Sequence, residues 1–185
     1  PDVNADPSSA GRLMNGHYAT RLLDETGNWK NLTSLKNSSA DISPTAGQMP
    51  RLLGLALASK LYRSNQSLHT DKYRRFSNEG NEVAFGTIGD ASTSEGLFFE
   101  TINAAGVLQV PMAISVWDDG YGISVPKKFQ TTKASISDAL RGFEKTDDKD
   151  GYLIFTGNGW DYPGLVELYE KGIAKCREQH IPVLF

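Results

Sequence analysis

The hydrophobic pattern divides the chain into a polar opening, one broad apolar helix, and two successive strand–helix–strand units. Residues 1–44 are rich in Ser, Asn, Gly and Thr with weak periodicity, and they read as irregular structure that lines a site. Apolar positions then crowd into SPTAGQMPRLLGLALASKLY (43–62), where Leu52, Leu53, Leu55, Ala56 and Leu57 predict a helix with a wide buried face. Ser43 is placed to cap it with Pro44 at the first helical position, although Pro50 points to a later start. The polar stretch 63–81 then reads as a surface insertion.

Beyond it the pattern becomes regular. VAFGTI (83–88) is a short apolar strand, EGLFFETINAAGVL (95–108) a helix with Phe98, Ile102 and Ala105 on one stripe, and PMAISVW (111–117) a buried strand. Strand, helix and strand at this spacing make a βαβ unit with parallel strands. YLIF (152–155), a helix from about Pro163 to Gln179, and PVLF (182–185) repeat the order, with Asp161 placed as the second helix's N-cap. SISDALRGFEK (135–145) predicts a short helix between the two units. The expectation is an α/β fold with a mostly parallel sheet flanked by helices, in a single domain spanning residues 1–185.

Composition narrows the partners. The chain has 185 residues, 39% of them hydrophobic, which suits one domain with a sizeable core. A formal net charge of −3, with only Arg74 and Arg75 as a local basic cluster, gives no support for a nucleic-acid partner. No apolar run approaches the roughly 18 residues of a membrane span. Cys176 is the only cysteine, so an intramolecular disulfide is impossible and a reducing, cytoplasmic setting is expected. The chain opens without Met and closes on the strand-like IPVLF, which reads as a piece of a longer polypeptide.

In open parallel sheets ligands bind beyond the carboxyl ends of the strands. Two such ends carry carboxylates here: Gly89-Asp90 after the first strand, and Asp118-Asp119-Gly120 after the second. Neighbouring strands would bring Asp90 and Asp119 to one rim, where oxygen ligands suit Mg²⁺. The small residues Ala91, Ser92 and Thr93 let backbone N–H groups approach an anion at a helix start. Read alone, the spacing also admits a plainer account, with Asp90 favouring the helix dipole and Asp-Asp-Gly forming a turn. The stretch carries neither a Walker loop nor a Gly-x-Gly-x-x-Gly fingerprint.

GDASTSEGLFFETINAAGVLQVPMAISVWDDGYGIS (89–124) resembles the thiamine-diphosphate motif of 2-oxo acid dehydrogenases, in the alpha subunit of their decarboxylating component. That family's pattern runs Gly-Asp/Glu-Gly, a helix carrying Asn, a Pro before the next strand, then Asn-Asn-x-Tyr. Asp90, Glu95-Gly96, Asn103 and Pro111 match it, and Asp119 lies 29 residues after Asp90, as the family's second metal ligand does. Upstream, GRLMNGHYA (11–19) and SPTAGQMPRLLGLALASK (43–60) are similar to two further family segments.

The resemblance implies a thiamine-diphosphate-binding fold and assigns roles residue by residue. Asp90, Asp119 and the backbone carbonyl of Tyr121 would hold Mg²⁺, and Gly89, Ala91 and Ser92 would line the diphosphate. Ser43 and Thr45 would lie near the cofactor's pyrimidine. His17 matches a family His near the active-site entrance and is the catalytic candidate, with a structural hydrogen-bonding role as its alternative. His69, in the polar stretch, and His180, at a helix end where a cation suits the dipole, read as structural. The activating Glu would come from a beta-type subunit or fused beta domain, in a heterotetramer. The implied reaction is decarboxylation of a 2-oxo acid, branched-chain slightly favoured, with acyl transfer to a lipoyl-bearing acyltransferase. A non-catalytic assembly fragment and another thiamine-diphosphate enzyme of transketolase type are the alternatives. Four departures stand out: Asp118 and Asp119 replace Asn, Ala91 replaces Gly, Trp117 stands where branched-chain members carry a phosphate-contacting Arg, and Gly47 replaces a potassium-binding Thr.

Overall fold

A computed structural model describes residues 19–35, 37–39 and 42–185. Four parallel strands form the main sheet in the order β1-β2-β6-β5, comprising β1 (Ala84–Gly89), β2 (Met112–Trp117), β5 (Leu153–Ile154) and β6 (Val183–Leu184). Helix α2 (Gly96–Leu108) crosses from β1 to β2, and α4 (Tyr162–Gln179) crosses from β5 to β6. Both βαβ units therefore form as the periodicity predicts, and β2 pairs with β6 to join them. A two-stranded antiparallel hairpin, β3 (Tyr121–Gly122) with β4 (Val125–Pro126), stands apart from the sheet.

The core follows from alternation along β2. Met112 and Ile114 point to the side covered by α1 (Met49–Ser64) and α2, and they pack with Leu52, Ala56, Phe98, Ile102 and Ala105. Ala113 faces the other way, toward Val183 and Cys176 of α4. Phe98, Ile102 and Ala105 are fully buried, which is the stripe read from the sequence. Burying each large apolar side chain contributes about 1.5–3 kcal/mol. Tyr152 lies inside the same core and donates its hydroxyl to the Ile102 carbonyl at 3.0 Å, so its one polar atom is satisfied. Burial pushes the Cys176 thiol up to about 12, which keeps it protonated and inert.

Helix boundaries differ in two places. α1 begins at Met49 behind Gln48, so Ser43 is not its cap. Residues 44–49 instead form tight turns around Ala46, which adopts a left-handed φ of 59° and cannot continue a helix backward. Pro50 then sits in the first turn, where its missing N–H is harmless. In the 135–145 stretch, the only α-helix is α3 (Ile136–Ala139), four residues capped by the Ser135 hydroxyl, followed by a 3-10 turn at Arg141–Phe143. Asp161 caps α4 as expected, accepting from the Gly164 N–H at 3.1 Å.

The polar stretch 63–81 is tied to the body at its far end. Its first two residues close α1, and Gly80 packs so tightly that an added Cβ would lie 2.4 Å from the Ser59 carbonyl oxygen. His180, the left-handed C-cap of α4, donates Nε2–H to the Gly80 carbonyl at 3.0 Å. It is structural, as expected, but not as a cation: burial, and next to it the Arg63 and Lys60 charges, outweigh that bond and hold its pKa below 6.5. A depressed imidazole contributes stability that is present above 6.5 and lost as pH falls through the folded value. His180→Asn, which tolerates the left-handed backbone, is expected to lower stability by about 1 kcal/mol at neutral pH. Thermal midpoints recorded against pH should show the unaltered protein falling faster than the variant below 6.5.

Candidate functional site

Register builds the site. β1 and β2 pair from Ala84↔Met112 to Gly89↔Trp117, so both strands end at the same level. The Asp90 N–H donates to the Trp117 carbonyl at 3.2 Å, extending the ladder one step beyond the strands. The chain then winds into a 3-10 turn at Ala91–Ser94 before α2 begins, and Thr93 bonds back to the Asp90 carbonyl through both its N–H and its hydroxyl, at 3.1 and 2.6 Å. These bonds fix the backbone of Asp90 without using its carboxylate.

That carboxylate is the anomaly of the rim. Asp90 is only 3% exposed, and its Oδ2 is buried with no hydrogen-bond partner among the described residues. Burial raises its pKa above the ordinary carboxylate value, the Ala91 N–H opposes this, the nearby Asp118 and Asp119 charges raise it further, and Lys127 opposes them. An isolated buried anion is costly unless something pairs with it, and among the described residues nothing pairs with Asp90 Oδ2.

The facing loop is held by its own side chains. Asp118 Oδ1 accepts from the Gly120 N–H at 3.0 Å, and Asp119 Oδ1 accepts from the Tyr121 N–H at 3.0 Å. Gly120 takes a φ of 84°, which lets the chain reverse into β3. Lys127 closes the loop, donating its N–H to the Gly120 carbonyl at 2.8 Å and its ammonium to Asp118 Oδ2. The turn reading of Asp-Asp-Gly is therefore correct for one oxygen of each carboxylate. Asp118 has both oxygens occupied, whereas among the described residues no donor reaches Asp119 Oδ2.

Gly89, Asp90, Ala91, Ser92, Asp119 and Tyr121 thus share one rim. Ala91 stays outside the left-handed region, and its methyl lies so close to Gly122 that a Cβ there would come within 2.7 Å of it. A side chain gained at 91 is matched by one absent at 122. Ser43 and Thr45 lie in the turn before α1, which the Gln48 side-chain amide ties to β1 through the Thr87 carbonyl at 3.4 Å. A Cβ on Gly47 would meet Ile42 Cδ1 at 2.7 Å, so a Thr there would displace Ile42. Trp117 turns to the other side of the sheet, where its indole N–H donates to Ser115 and its ring borders an open cleft of about 540 Å³ with Val83, Phe85 and Tyr169. His17 lies outside the described residues. Among the described residues no three His, Cys, Asp or Glu side chains cluster as a metal site; the rim offers two carboxylates with a free oxygen and backbone carbonyls. Sequence reasoning missed Lys127, Gly122 and the bond from the Ser94 hydroxyl to the Gln130 carbonyl at 3.2 Å, which fastens the two rim loops together.

The chain is 30% identical over 180 residues to the 2-oxoisovalerate dehydrogenase subunit alpha of Bacillus subtilis (strain 168), an alignment covering 97% of this chain and 44% of that relative. The chain therefore spans less than half the length of that curated relative. The Dehydrogenase E1 component family matches residues 26–149, which include both rim loops and the helix between them. With two-thirds of its length inside that match, the chain belongs to the dehydrogenase E1 component family.

Proposed function

We propose that this chain, as one domain over residues 1–185, is the thiamine-diphosphate-binding part of a cytoplasmic 2-oxo acid dehydrogenase, in the decarboxylating component's alpha chain. The observation that carries the reading is Asp90 Oδ2, a buried carboxylate oxygen without a partner at the carboxyl end of a parallel strand. Mg²⁺ is the cation that fits oxygen ligands and keeps part of its shell for phosphate.

Asp90 and Asp119 would hold the metal through their free oxygens, with the Tyr121 carbonyl beside them. Gly89, Ala91 and Ser92 keep the first loop narrow: a Cβ on Gly89 would find only Ser92 Oγ, at 4.0 Å. Backbone can therefore approach an anion there. Ser43 and Thr45, in the turn that Gln48 ties to Thr87 of β1, would line the pyrimidine end. Thiamine diphosphate, when bound, supplies the carbanion chemistry that releases carbon dioxide. No described carboxylate here suits the acid–base role, because Glu95 and Glu100 lie at the start and on the surface of α2. That role would fall to a beta-type subunit or fused beta domain in a heterotetramer, with His17 at the entrance and a lipoyl-bearing acyltransferase receiving the acyl group. The relative's name, a 2-oxoisovalerate dehydrogenase subunit, supports a branched-chain 2-oxo acid as substrate.

A second reading, a non-catalytic assembly fragment, draws on the extra carboxylates at 118 and 119. It requires that the full-length complex release no carbon dioxide from any 2-oxo acid, and detection of that release rules it out.

Calorimetric titration of the full-length protein with thiamine diphosphate and Mg²⁺ is expected to show binding that weakens roughly 100-fold, about 2.7 kcal/mol, in Asp90→Ala. Unchanged affinity in the variant would overturn the site assignment. Without metal the same residue is a liability. A carboxyl whose folded pKa is raised contributes stability below its ordinary value of 3.8 and loses it as pH rises through the folded value. Asp90→Asn should therefore raise the metal-free melting temperature at pH 7 by about 2–4 °C, the shift that ~1 kcal/mol produces in a domain of this size. The advantage should vanish as the pH falls toward 3.8.

A further inference from the structure

Asp118 is a carboxylate at the rim of a site read as holding a diphosphate, and nothing in the metal assignment uses it. An anion near a second anion repels it, and at a partly exposed rim one unit charge a few ångströms away changes affinity by about tenfold. The structure shows how that repulsion is met. Lys127 donates its ammonium to Asp118 Oδ2, and the pair is partly shielded, with the lysine side chain 21% exposed and the aspartate 35%. The ammonium is delivered by the fold: the Lys127 N–H is anchored on the Gly120 carbonyl at 2.8 Å, inside the same loop that Asp118 turns. The neighbouring Lys128 goes elsewhere, its ammonium 5.0 Å from the Phe129 ring centroid. The charge of Lys127 also reaches Asp90, where it counters Asp118 and Asp119.

We propose that Lys127 is the charge-compensating residue of the diphosphate site, cancelling the negative charge that Asp118 would otherwise turn toward the bound phosphates. The pair behaves as the neutral side chain that stands at this position in the resembled motif. Lys127 is a positioning residue, because it acts on the cofactor through Asp118. The inference rests on the reading of the rim as a Mg²⁺–diphosphate site.

The test is a double-mutant cycle on the full-length protein, reading the dissociation constant of thiamine diphosphate at fixed Mg²⁺ by calorimetry. Lys127→Met keeps the stem and the backbone anchor but removes the ammonium, and it should weaken binding about tenfold. Adding Asp118→Asn, which retains an oxygen for the Gly120 N–H, should return affinity to within about twofold of the unaltered protein. The loss in Lys127→Met should shrink in high salt, which screens exposed charges. A lysine needed only to hold the loop would give a loss that Asp118→Asn does not rescue and salt does not reduce, and that result overturns the inference. Unaltered affinity in Lys127→Met also overturns it, while leaving the cofactor reading intact if Asp90→Ala still weakens binding roughly 100-fold. No binding by the unaltered protein overturns both.

Discussion

Parallel pairing from Ala84↔Met112 to Gly89↔Trp117 holds β1 and β2 in one register, and that register decides where both rim loops begin. A slip of one residue would reverse the faces of the strand. Ala84, Gly86 and Ile88 would leave the side covered by α1, and Leu52 would lose Gly86, against which it packs so closely that an added Cβ would lie 2.7 Å away. The buried faces of β1 and β2 therefore fix, through packing alone, that the chain leaves both strands at one level. The Asp90 N–H bonded to the Trp117 carbonyl is the last rung of the same ladder. Core packing and site geometry are one constraint seen at two ends.

Electrostatics at that rim follow from the geometry. Strand register brings Asp90, Asp118 and Asp119 to the same edge of the sheet without clustering the three as a metal site, and each is handled differently. Asp118 is neutralised by Lys127 and spent on a turn, Asp119 gives one oxygen to its turn and keeps one, and Asp90 is buried with Oδ2 unpaired. Two oxygens remain without a protein donor among the described residues, and the third negative charge has an internal counterion. The bare site is under tension, because burial and like charges both disfavour an ionised Asp90.

The fold was legible where periodicity was strong. The stripe Phe98, Ile102, Ala105 and the flanking apolar runs predicted α2 between two parallel strands, and packing confirms each. Local turn chemistry was legible too, in Asp161 at the α4 cap and in Asp-Asp-Gly. The start of α1 was harder, because Ser43-Pro44 is a good cap sequence that loses to the left-handed turn at Ala46. Helical propensity is weak beside a fixed tertiary contact, here Gln48 reaching the Thr87 carbonyl. At the site, Asp90 and Asp119 were legible as a pair because their spacing is carried by a βαβ unit. Gly122 was not, since its need for a bare Cα comes from the Gln130 side chain and from Ala91, 31 residues earlier, and no local pattern reports contacts across loops.

The departures from the family motif lose their independence once the loops are seen together. Ala91 adds a methyl and Gly122 makes room for it. Asp118 adds a charge and Lys127 cancels it. Gly47 lacks a side chain where the turn against Ile42 has no space for one. These three changes are each answered within reach of their own side chains, in volume or in charge. Asp119 is not: among the described residues no cation pairs with it and no donor reaches its second oxygen. Asp119 is thus, beside Asp90, a rim carboxylate that keeps an oxygen without a donor among the described residues, while both oxygens of Asp118 are spent on the loop.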